Sequence, residues 1–158
     1  MTQYLATGVT REQVYTTLAS KISSTLGLNA FIRGLPIFAN LDVSQSPTGY
    51  LHQAMSKPKQ KWGMPPRYVD LSMLWVCMAQ QPLDPGIQTS PATQLNVLRD
   101  LLDVALAPDQ GDQRVCTLGG IVEHCWVVGD TIYENITGLA WTAWHTQIET
   151  EYFSINNF

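Results

Sequence analysis

Apolar residues recur every four positions from Val14 through Leu18 and Ile22 to Leu26, with Tyr15 and Ala19 beside them. This is the buried stripe of a helix of about four turns. Thr10 and Gln13 are spaced as a capping box at its start, and Gly27 is placed to stop it. Residues 1–9 read as an arm. Beyond the helix the period breaks. Leu28–Arg33 and Leu35–Leu41 are apolar enough for short strands, interrupted at Gly34-Leu35-Pro36. Asp42–Thr48 reads as a loop and Gly49–Ala54 as a short strand. Lys57–Pro66 is basic and rich in proline, so it cannot be a central strand and is expected as an exposed loop or hairpin tip. Residues 42–66 together are expected to form an extended loop or hairpin.

Arg67–Ala79 carries the strongest strand pattern. Val69, Leu71, Met73, Trp75 and Cys77 share one face, while the other begins polar and turns apolar at Leu74, Val76 and Met78. Ser90-Pro91 opens a second helix, an N-cap followed by proline at its first position. Leu95, Leu98, Leu102 and Leu106 form its apolar face; Arg99, Asp100 and Asp103 face water. Three further strand-like stretches follow: Arg114–Leu118, then Ile121–Val128 and Thr131–Ile136 separated by a turn at Gly129-Asp130. Gly138–Tyr152 closes the pattern. The expected fold class is α+β: an antiparallel β-sheet with two α-helices packed on one face, plus the extended loop or hairpin. The 158 residues suit a single domain, 1–158, with 153–158 as a C-terminal tail.

Composition adds one important feature. The formal net charge is −4 and charged residues make up only 14%, which argues against a general nucleic-acid or membrane-surface binder. Yet residues 1–67 hold seven Lys/Arg against two Asp/Glu, and residues 68–158 hold two against eleven. The first part is therefore basic and the second strongly acidic. No apolar run approaches the roughly 20 residues of a membrane span, and the first ten residues lack a signal-peptide pattern. Membrane association is not expected.

The standard catalytic motifs are absent: no P-loop, G-x-G-x-x-G, G-x-S-x-G or H-E-x-x-H is present. Gly119-Gly120 reads as a turn or bulge pair. His124-Cys125 invites a metal or nucleophile reading, with Cys116, Cys77, His145 or His52 as further members. Neighbours on a strand point to opposite faces, so those two cannot chelate one ion. The three cysteines are expected as free thiols. No cofactor, metal or catalytic residue is expected.

The candidates that remain are for contact with partners. Lys57, Lys59, Lys61 and Arg67 with Trp62 form a basic cluster that reads as a solvated loop or as a contact for an acidic surface of the same or a neighbouring subunit, with nucleic acid stacked on Trp62 as a remoter reading. Trp141 and Trp144 lie three apart on the last strand and cannot share a face, so one of them is a candidate interface anchor.

Several short motifs point further. Leu101–Asp109 is a helix ending in Ala-Leu-Ala-Pro. Thr117-Leu118-Gly119-Gly120 is a turn, and His124-Cys125-Trp126 begins a strand. Together with Gly63-Met64-Pro65-Pro66-Arg67 and the Arg11–Tyr15 helix start, these resemble the tail-completion, or tail-terminator, proteins of long-tailed bacteriophages and prophages, over roughly residues 10–150. The resemblance implies a homo-oligomeric ring, typically of six subunits, at the head-proximal end of the tail in the virion. Such a ring ends polymerisation of the tail tube protein and docks the neck or head-closure protein, while genome DNA passes the lumen without specific binding. Asn135–Ala140, the tryptophan-rich last strand and Phe153–Phe158 depart from the pattern. A head-closure or neck ring component is the alternative; a small enzyme using Cys and His is a distant one.

Overall fold

The computed structural model describes residues 8–59, 67–79, 91–109, 115–133 and 141–153. The elements are helix α1 (Arg11–Leu26), strand β1 (Ala30–Arg33), two single 3-10 turns (Phe38–Asn40 and Val43–Gln45), β2 (Thr48–Pro58), β3 (Arg67–Ala79), helix α2 (Pro91–Ala105), β4 (His124–Tyr133) and β5 (Trp141–Phe153). The five strands form one sheet in the order β1-β2-β3-β5-β4. Every pairing is antiparallel except β1 with β2. Both helices lie on one face, so the α+β class expected from the pattern holds.

α1 forms where its stripe and caps require. The Thr10 hydroxyl accepts from the Gln13 amide at 3.1 Å while the Gln13 side chain accepts from the Thr10 amide at 2.9 Å. Gly27 ends the helix in the left-handed conformation, φ 63°. Val14, Tyr15, Leu18, Ile22 and Leu26 are all buried. They meet Leu95, Leu98 and Leu102 of α2 and Leu51, Leu74, Val76, Trp144 and Ile148 of the sheet. Each such side chain contributes about 1.5–3 kcal/mol by leaving water. Tyr152 completes this face, donating to the Asp70 carboxylate at 2.6 Å. Burial and that bond raise the tyrosine's pKa.

Corrections gather in the irregular stretches. Leu35–Leu41 is not a strand: its residues, with those to Pro47, lie over the second face of the sheet. Phe38 and Leu41 pack there on Cys77, Ala79, Trp141 and Ala143. The Ser46 hydroxyl accepts from the Ala79 amide at 2.9 Å and holds the segment in place. Leu28–Arg33 shrinks to a four-residue parallel strand. Gly49 must stay small beside it, because a Cβ there would strike Leu28 and Phe31 side chains. β2 runs on through Lys57 and Pro58, where the sequence suggested a loop. Pro58 is tolerated because β1 ends opposite Leu51, leaving the outer margin of β2 from His52 onward without a neighbour among the described residues.

At the other margin, Gly129-Asp130 is no turn. β4 is one strand with a bulge between Val127 and Gly129 that absorbs Val128. Of the stretch expected as a strand over Arg114–Leu118, Arg114 lies outside the described residues; residues 115–118 make an isolated bridge, Cys116 to Cys125, followed by a turn in which Leu118, Gly119 and Gly120 all have positive φ.

Candidate assembly surfaces

The strand order arranges charge in space. β1 and β2 come from the basic part of the sequence and occupy one margin of the sheet. β5 and β4 come from the acidic part and occupy the other. α1 packs against β2, whereas α2 packs against β3 and β5. The polarity read along the chain therefore persists in the strands, although it is blurred elsewhere: Lys21 of α1 lies beside Leu118 and Gly119 near the acidic margin, and Glu12 pairs with Arg33 at 2.7 Å at the basic one.

At the basic margin, Lys57 is exposed on β2 and forms no ion pair among the described residues. Met55, on the same stretch, is 45% exposed. Lys59 and Arg67 are partly spent internally: Lys59 Nζ lies 3.3 Å and Arg67 Nη1 3.0 Å from Glu151 Oε1. Burial works against the Glu151 charge, but the Arg67 and Lys59 bonds outweigh it and hold the carboxyl below its ordinary range. Arg67 also lies over the Phe153 ring, 4.3 Å from its centroid. Lys61 and Trp62 fall outside the described residues.

At the acidic margin, α2 and β4 enclose a groove of about 260 Å³. Its walls include the apolar Leu102, Val127 and Trp144, and the charged Asp100, Asp103, Asp130 and Arg99. Arg99 is committed to Asp130 at 2.7 Å. Asp100 and Asp103 have no cationic partner among the described residues. The sequence placed these two on a solvated face. The neighbouring Asp130, hidden in an expected turn, was missed, and only recognising the bulge would have shown which way it points.

The tryptophan expectation requires correction. Trp141 and Trp144 do point to opposite faces of a regular β5, yet they are only 5% and 1% exposed. Trp144 is under the helices; Trp141 is under the 35–47 segment. Neither presents a surface anchor on this chain. Among the described residues the large exposed aromatics are instead Trp126, 43%, and Tyr133, 45%, both on β4. Trp126 stacks on His124 at 3.7 Å between centroids.

The chemical candidates separate. Cys125 is buried on the helix side, while His124 on the opposite face lies 3.0 Å from Glu149. His145, beside Trp75, also lies on that opposite face, and burial lowers its pKa. Strand alternation therefore keeps Cys125 apart from His124 and His145. No three of His, Cys, Asp and Glu are grouped to hold a metal among the described residues. Cys116 and Cys125 hydrogen-bond each other, drawing Cys116 down and pushing Cys125 up; burial pushes Cys77 up to about 12. All three thiols are at most 1% exposed. They are expected to resist a bulky aromatic disulfide reagent in the native protein and to react fully once unfolded. Rapid native labelling of Cys125 would contradict this burial.

No family model and no curated protein sequence matches the chain. A chain in the solved structure "Virion of native gene transfer agent (GTA) particle" is similar at 10% identity, with a TM-score of 0.48, over 87% of this chain and 90% of that one.

Proposed function

We propose that the chain is a structural virion protein that assembles head to tail into a ring, caps the head-proximal end of a phage tail tube and docks it to the neck. The observation that carries the assembly reading is the pair of unlike margins. A ring built from one kind of chain needs two different surfaces that fit each other, since each copy meets the next heterologously. A basic margin facing away from an acidic one supplies such a pair, and complementary charge sets register and association rate. The specific role at the tail end is supported by the motif pattern from the Arg11 helix start to the His124-Cys125-Trp126 strand.

Electron microscopy of particles made without this protein tests the role. Loss of a terminator is expected to give tails of uncontrolled length. Normal tails left unjoined to full heads would instead assign the chain to head closure. Normal joined particles would overturn both readings.

A further inference from the structure

We infer that the groove between α2 and β4 receives the Lys57 stretch of β2 from a second copy of the chain. The inference rests on the ring reading and names its contact.

Two observations converge on that occupant. The groove joins the partly exposed Val127 to an acidic rim, which suits a lysine: its methylene stem lies along Val127 while its ammonium meets Asp100 and Asp103. The indole N–H of Trp144, one of the lining residues, is buried without an acceptor. That donor is shut off from solvent, so an arriving segment would meet the rim of the groove and not the indole nitrogen. Finally, among the described residues Lys57 is exposed, unpaired and located on the opposite margin of the sheet, which no described strand covers beyond Leu51. It therefore cannot fill the groove of its own chain. Met55 beside Lys57, and Val128 at the bulge beside the groove, are 45% and 53% exposed. They offer an apolar centre next to the charged contact.

The test uses the full-length protein carrying Lys57→Cys and Asp103→Cys together, treated with a short bismaleimide. The native thiols are buried and do not compete. A denaturing gel is expected to show a ladder of covalent multimers, absent from either single variant. In parallel, Asp100→Lys with Asp103→Lys should weaken self-association about tenfold or more at low salt, and less at high salt. Mixing it with Lys57→Glu protein should restore pairing. Rings seen by electron microscopy that give no ladder and survive the charge reversal would overturn this contact and leave the ring intact. A product that stops at the covalent dimer, with no rings, would uphold the contact and overturn the ring. Monomers without cross-links would overturn both.

Discussion

Trp144→Ala is expected to lower stability by about 3–5 kcal/mol, the usual cost of emptying a tryptophan site in a packed core. The side chain is among the largest fully buried ones, 1% exposed. It lies in the β5 row beside Val76 of β3 and Ile132 of β4. The strands on both sides fix the backbone, so the cavity cannot close by collapse. The indole N–H has no acceptor to abandon, so the loss is one of packing and apolar burial, with no partner left unpaired. Trp144→Phe should therefore recover more than half of the deficit. Urea unfolding followed by circular dichroism measures this, with an unchanged slope showing that the folded state stays compact. A cost below about 1 kcal/mol would mean that the site is open rather than closed.

Glu151→Gln is expected to cost about 2–3 kcal/mol at neutral pH, the scale of hydrogen bonds to a buried charge. The Glu151 side chain is 7% exposed and its partner Arg67 is 25% exposed, whereas Lys59 is 52% exposed. The Arg67 bond should thus carry most of the effect, because water screens the lysine. His124 Nδ1 lies 3.7 Å away on the same carboxylate. The imidazole keeps its closer carboxylate partner, Glu149 at 3.0 Å, when Glu151 is replaced, so the loss falls on the Arg67 and Lys59 bonds. The sign of the pH dependence follows from the lowered carboxyl pKa. The contribution is full above the ordinary value of 4.5 and disappears as pH falls through the lower folded value. The wild type should accordingly lose stability more steeply than the variant below pH 4.5. Parallel acid limbs for the two proteins would show that Glu151 is not held in its ionised form.

Much of this architecture is legible in the sequence because local rules and tertiary packing agree. Thr10, Gln13 and Gly27 bound α1 in the sequence and in space alike. Arg67–Ala79 coincides with β3, and the second helix begins at Pro91 as read. Disagreement arises where a local signal has two structural meanings. Gly129-Asp130 marks a turn or a bulge equally well, and only the long facing strand β5 decides for the bulge. Pro58 excludes a central strand but not a margin. Within Leu35–Leu41, Phe38 and Leu41 are apolar because they cover Trp141 and Ala143, a requirement that no period of two or 3.6 expresses, while Leu35 and Ile37 stay exposed. The same covering segment explains the tryptophans. Alternation shows that Trp141 and Trp144 diverge; it does not reveal that both faces are roofed at that end of β5. The basic cluster was readable as a run of lysines, but Asp130 belongs to the acidic margin only through the fold.

The strand order also gives the molecule a sense of direction. Because β1-β2 and β5-β4 stand at opposite ends of one sheet, copies joined margin to margin must all point the same way round. Turning one copy over would set like charges together. Such a succession has one remaining freedom, the angle turned at each step, and that angle decides between a closed circuit and an endless spiral. It is set by the twist of the sheet between its two margins. In the proposed margin-to-margin contact, the bulk of α2 beside the groove and the bulge at Val128 would be the features that set this angle.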